Sequence, residues 1–195
     1  MRQKPDGRWL RFTATEEFRV DRVGFSWRAR FPITPLVWLN VVDEFEDDHG
    51  ALTGRVCGRV PVMSVSGPQA ADAQAQRYLS ELFWCPWAML ANDSLDWETK
   101  GNGTVAVSCP VGDHRVGVDL VFDEAGDVAA ARTEGRFRSV GDRQILTPWS
   151  GVVGGYERIG AARIPRQAEV GWDLPEGHFT YWQGTVTSLE VVSAS

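Results

Sequence analysis

Apolar side chains recur at every second position through most of this chain, and short glycine-rich or acidic stretches interrupt the pattern at close intervals. An extended backbone turns successive side chains to opposite sides, so each such segment has one face to bury and one to leave in water. Residues 9–20 read as a strand with Leu10, Phe12 and Ala14 on one face. In the next strand Phe25, Trp27, Ala29 and Phe31 share a face, while Arg28 and Arg30 take the other. Residues 36–45 and 51–62 follow, joined by the polar connection Glu46, Asp47, Asp48, His49 and Gly50. A second set starts at Leu95, Trp97 and Thr99, turns at Lys100 to Gly103, and returns through Val105, Val107 and Cys109. Val116, Val118, Leu120 and Phe122 come next, then a turn at Asp123 to Asp127 and a strand over 128–138. Residues 169–174 and 179–192 flank Pro175, Glu176 and Gly177. The stretch around Pro148 and Trp149, with Gly151, Gly154 and Gly155, reads as loop. The expected total is about ten strands, joined by hairpins and therefore antiparallel.

One segment has a different period. Ser66, Gly67, Pro68 and Gln69 resemble a capping box with proline in the first turn, and Pro86 supplies a stop. Between them Ala71, Ala75, Tyr78, Leu79 and Leu82 recur at steps of three and four, which is the apolar stripe of one helix. A single helix cannot cover a flat sheet of this size, so the sheet has to curl. The expected architecture is a mainly β domain over residues 1–195: a strongly curved antiparallel sheet, half-barrel or barrel, with the helix packed on or in its mouth.

Charge narrows the function classes. The 195 residues carry a net charge of -6, and the 20 Lys and Arg are scattered without a basic stripe. Nucleic-acid binding and polybasic attachment to a membrane surface both need clustered cations and are not expected. Mean hydropathy is -0.24, and no apolar run approaches the ~20 residues of a bilayer span, so no integral membrane segment is expected. Cys57, Cys85 and Cys109 are odd in number and lack CxxC spacing, and Met1 to Asp6 carry no apolar targeting core. These features point to free thiols and a cytoplasmic location.

Nine Trp, nine Phe and three Tyr need a destination. Trp27, Trp97 and Trp172 alternate in phase with aliphatic neighbours and point to the apolar side. Trp84 and Trp87 flank Pro86, and with Trp149 they are placed to line a mouth. Such rings either fill the interior of a curved sheet or wall a ligand site, because the indole prefers a partner for its N–H. His49, His114 and His178 lie in or beside turns and show no metal-ligand spacing, and no GxSxG elbow or phosphate loop occurs, so neither metal nor cofactor is expected. Arg77 and Glu81 are neighbours on the helix, away from its apolar stripe. They are either a solvated ion pair or a pair facing the lumen. Asp96 and Glu98 point away from Trp97 into water; Glu134 and Arg136 share a strand face, as do Glu169 and Asp173.

Several local strings carry a resemblance. Gly24, Phe25, Trp27 and Ala29 are followed by Arg77, Tyr78, Leu79, Glu81, Trp84, Pro86 and Ala88, then by Thr147, Pro148, Trp149, Gly151 and Tyr156. Arg163, Ile164, Pro165, Glu169, Val170 and Trp172, and finally Gly177, Phe179, Tyr181 and Trp182, complete the order. Together they resemble, over nearly the whole chain, an uncharacterised bacterial family that carries a domain-of-unknown-function label. Its members usually have an extra N-terminal stretch, which implies a missing edge strand here. The order of elements is similar at fold level to the curled sheet of periplasmic lipoprotein carriers.

The expected function is binding of an apolar or amphipathic small molecule in an aromatic-lined β-cup. Trp27, Tyr78, Trp84, Trp149, Tyr156, Trp172 and Tyr181 would form the wall, with Arg77, Glu81 and Arg163 as polar anchors. A cofactor-independent isomerase, cyclase or hydrolase using Glu81 and Arg77 is the alternative, and a structural or partner-binding domain is a third.

Overall fold

A computed structural model describes residues 1–192 and contains twelve strands in two antiparallel sheets of five and seven. The first sheet runs in chain order through β1 (Thr13–Phe18), β2 (Phe25–Thr34), β3 (Val37–Glu46), β4 (His49–Val56) and β5 (Val60–Ser66). The second is β6 (Asp96–Gly101), β7 (Thr104–Val111), β8 (His114–Phe122), β9 (Val128–Val140), β10 (Arg143–Ile159), β11 (Ala162–Leu174) and β12 (Gly177–Thr185). Between the sheets the chain forms α1 (Pro68–Ser80), a 3-10 turn (Leu82–Trp84) and α2 (Pro86–Ala91). No helix among the described residues is long and apolar enough to cross a membrane.

The two sheets do not close into a barrel. They form two walls with α1 between them. Cross-strand registry sets rows of side chains on the inner face of the first sheet: Phe18, Phe25, Phe45 and Gly50, and next to them Glu16, Trp27, Asp43 and Leu52. Gly50 is required there, because a Cβ would lie 2.6 Å from the Ala70 carbonyl oxygen and the Ala71 Cα. Its absence lets α1 settle directly on β4. The stripe Ala71, Ala75, Tyr78, Leu79 and Leu82 is fully buried and shares one core with Val107, Cys109, Leu120 and Ala131 of the second sheet. Burying a side chain of Leu or Phe size contributes about 1.5–3 kcal/mol, so this stripe is the main glue between the walls. At the opposite margin Phe12 meets Trp182 at 6.1 Å, and the Arg2 amide donates to the Tyr181 carbonyl, which brings the β1 and β12 sides together.

Curled antiparallel sheets, one main helix and alternation of buried with exposed residues are as the sequence predicts, and local details differ. The strand expected over 51–62 is a hairpin, broken where Cys57 and Gly58 adopt φ of 49° and 70°. Residues 143–159 are a strand of 17 residues rather than a loop. Gly151 sits inside it because the Val170 side chain occupies the space a Cβ would need. Gly67, with φ of 101°, replaces Ser66 as the cap of α1, and no side chain caps it. Pro86 opens a second short helix, a first-turn position that suits its missing N–H. The last strand ends at Thr185 rather than near residue 192. Trp97 lies opposite buried Val107 but stays 41% exposed because β6 is an uncovered edge.

Candidate functional site

On the first sheet the site is built around one cation. Glu16 and Asp43 are the cross-strand neighbours of Trp27, so strand registry alone places two carboxyl groups beside an indole on the inner face. α1 lowers Arg77 onto this row. The guanidinium lies 4.9 Å from the Phe25 ring centroid and 5.0 Å from that of Trp27. It donates to Glu81 Oε1 at 2.9 Å, Asp43 Oδ2 at 2.5 Å and Glu16 Oε1 at 3.2 Å. These four side chains are only 12–21% exposed, so Arg77 and Glu81 are a largely buried pair and not a solvated one.

One guanidinium cannot neutralise three carboxylates. Burial first, then the charge of Glu81, raises the Glu16 carboxyl well above its usual range despite Arg77. The raised value favours the protonated form of Glu16, which a hydrogen bond to Glu81 would stabilise further. Burial raises Asp43 too, against the pull of Arg77 and of nearby Arg136. Burial alone would lower Arg77, but the three carboxyl groups outweigh it and hold the guanidinium charged. Asp43 Oδ1 and Glu81 Oε2 are buried with no hydrogen-bond partner among the described residues.

On the second sheet the site depends on a bulge. Trp149 pairs with Thr133, but Thr147 pairs with Arg136, so β9 spends three residue steps where β10 spends two. The phase of β9 flips at that point. Arg136 and Arg138 join the inner face, opposite buried Thr147 and exposed Ile145 respectively, while Glu134 points to solvent. The expectation that Glu134 and Arg136 share a face is thereby corrected. α1 marks the bulge: Gln76 Nε2 donates to the Gly135 carbonyl at 2.9 Å.

The two arginines lie over aromatic rings, Arg136 at 5.0 Å from the Trp149 centroid and Arg138 at 5.8 Å from that of Trp172. Trp149 and Trp172 are cross-strand partners, and Phe179 continues the row on β12. A second bulge, in β12, gives Tyr181 the room to stack on Trp172 at 5.5 Å. The Trp149 indole donates to the Tyr181 hydroxyl at 3.0 Å. Trp172, Tyr181, Arg136 and Arg138 are all half-buried.

Of the residues named from sequence, Trp27, Arg77 and Glu81 come together on the first sheet, and Trp149, Trp172 and Tyr181 on the second. Tyr78 is fully buried beside the first group. It stacks on Phe18 at 4.3 Å, donates to the Arg19 carbonyl and accepts from Asn92, which makes it core rather than wall. Trp84 donates to the Pro165 carbonyl at 2.9 Å and packs by Trp182. Tyr156 and Arg163 lie elsewhere, at the far end of β10. Tyr156 donates to the Val128 carbonyl, and exposed Arg163 forms a bidentate pair with Asp127 in the β8–β9 turn. A surface carboxylate thus already occupies the guanidinium proposed as an anchor.

Sequence reading missed Glu16, Asp43, Arg136 and Arg138. A signal existed for the first two: each is a carboxylate in the apolar phase of its strand, between Ala14 and Phe18 and between Val41 and Phe45. None existed for the arginines, because simple alternation points them outward. Two cavities, each of about 340 Å³, lie on the outer face of the first sheet, around Glu17, Arg28 and Glu44 and around Thr15, Arg30 and Asn40.

No curated protein and no solved structure matches the chain. The model of a family described as of unknown function, DUF6920, matches residues 1–190, and the protein belongs to that family.

Proposed function

We propose that the protein binds an amphipathic small molecule along the inner face of the second sheet, with Trp149, Trp172 and Tyr181 as the wall. The observation that carries this reading is the convergence of these three rings from β10, β11 and β12, tied by an indole-to-phenol hydrogen bond and a stack, with two of the three half-buried. Trp172 and Tyr181 each remain partly exposed, as residues walling a ligand site must. A bound chain would lie along this wall.

Intrinsic tryptophan fluorescence tests the reading, titrated with dodecyl maltoside and dodecyl phosphate below their micelle thresholds. A saturable shift that is lost in Trp172→Ala supports it. A flat response to both amphiphiles overturns it.

A second reading rests on the Arg77 cluster. A protonated Glu16 beside Glu81 offers a proton donor and an acceptor, the pairing a cofactor-independent hydrolase or isomerase requires. With a chromogenic dodecanoate ester as probe, turnover lost in Glu81→Gln while amphiphile binding persists favours this reading. Wild-type turnover no faster than buffer removes the hydrolase form of it.

A further inference from the structure

We infer that Arg136 and Arg138 form an oxyanion site for a phosphate or carboxylate head carried on an apolar chain. The inference rests on the aromatic-wall reading and names the ligand class for that site.

Three observations carry it. The first is the contrast in pairing. Arg77, Arg136 and Arg138 are all half-buried, yet Arg77 has three carboxyl partners while Arg136 and Arg138 have none within salt-bridge distance among the described residues. The second is an orphan donor: Arg138 Nε is buried without a hydrogen-bond partner. A guanidinium N–H withdrawn from water and left unmatched is costly, and an oxyanion is the acceptor that fits its planar fork. The third is position. Arg136 Cζ lies over the Trp149 ring and Arg138 Cζ over the Trp172 ring, so the wall holds both cations side by side where the head of a ligand lying along it would sit.

The surroundings rank the two arginines. Asp43 and Arg136 attract each other across the two sheets. Arg136 is thus partly compensated from the first sheet, and Arg138 offers the stronger anion site. Beyond Arg138, Ile145 and Val140 lie on the same face of the β9–β10 arm, each 39% exposed, and form an apolar collar beside the head group. A net charge of -6 gives no general attraction for anions, so recognition falls to these two residues.

The test compares heads on one tail. Isothermal titration of the full chain uses dodecyl phosphate, dodecyl maltoside, dodecyltrimethylammonium and inorganic phosphate, the amphiphiles below their micelle thresholds. Dodecyl phosphate is expected to bind at least about tenfold more tightly than the maltoside, and the ammonium amphiphile most weakly. Arg138→Gln should reduce that preference to about twofold, with Arg136→Gln having a smaller effect. Arg138→Lys, which keeps the charge and loses the fork, should fall between and serves if the glutamine variant does not fold. Equal affinity for all three heads overturns the anion site but leaves the wall reading standing. A preference unchanged in both Arg138 variants also overturns it. Inorganic phosphate binding as tightly as dodecyl phosphate overturns the role of the chain. Binding of none of the probes overturns the wall reading itself.

Discussion

Arg77 and Arg138 each lay a guanidinium on a tryptophan inside the same molecule, at 5.0 and 5.8 Å, yet their surroundings are opposite. Around Arg77 the neighbouring strands and α1 supply more carboxyl groups than one cation can neutralise. Around Arg138 they supply none among the described residues, and one of its donors stays unmatched. Burial costs both cations hydration. It is offset at Arg77 by the chain's own anions, which makes the cluster a cross-link between α1, β1 and β3. At Arg138 it is not offset from within, which is the condition under which a bound anion gains most. The residue type is the same; what it does follows from whether its counter-charges lie in the chain.

Removal of each cation should separate the two regions most sharply. Arg77→Leu leaves the Asp43 and Glu81 carboxyl groups buried without a counter-charge and is expected to cost about 3–5 kcal/mol, read from urea denaturation; a loss below about 1 kcal/mol would mean that the cluster is not a cross-link. Next in size is Gly50→Ala, whose Cβ would strike the backbone of Ala70 and Ala71. It should cost about 1–3 kcal/mol by pushing α1 off β4, and should leave amphiphile binding at the arm intact. Arg138→Leu makes the opposite prediction to Arg77→Leu. Without ligand it should change stability by less than about 1 kcal/mol, and stabilisation is within that expectation because an unmatched donor disappears.

Smaller still is a pH effect that belongs to the cluster alone. The Glu16 carboxyl is raised above 4.5 in the folded state. Its contribution is therefore fully present below that unfolded value and is lost as pH rises through the folded one, and Asp43, raised above 3.8, acts in the same sense. Glu16→Gln should leave stability near pH 4.5 within about 0.5 kcal/mol of wild type and should become the more stable form at pH 8.5, in urea denaturations at both pH values. A pH profile identical to wild type would contradict a protonated Glu16. Last, Arg163→Ala, which removes an exposed guanidinium from Asp127 and from the Tyr156 ring, should have the smallest effect on the melting temperature.

Much of the frame can be read from residues alone. The alternation Phe25, Trp27, Ala29 and Phe31 marks an inner face, and the stripe from Ala71 to Leu82 marks the helix, because both patterns express a period that burial imposes. The site is less legible. Asp43 and Glu16 stand in apolar phase, which hints at a buried partner without naming Arg77, since the pairing depends on which strand the helix covers. Arg136 and Arg138 could not be placed, because the bulge at Thr133 to Arg136 reverses the phase of β9 and exists only as a mismatch with β10. Trp149 reads as loop for a related reason: Gly151 looks like a breaker but is a strand residue making room for Val170.

The division between a self-neutralised cluster and an open anion site is tested most directly by nitrogen-15 NMR of the full chain titrated with dodecyl phosphate. The account predicts that the indole N–H signals of Trp149 and Trp172 and the Nε–H of Arg138 shift to saturation, while the Trp27 indole and the Arg77 Nε–H hold their positions. Movement of Trp27 and Arg77 with Trp149, Trp172 and Arg138 unmoved would contradict it.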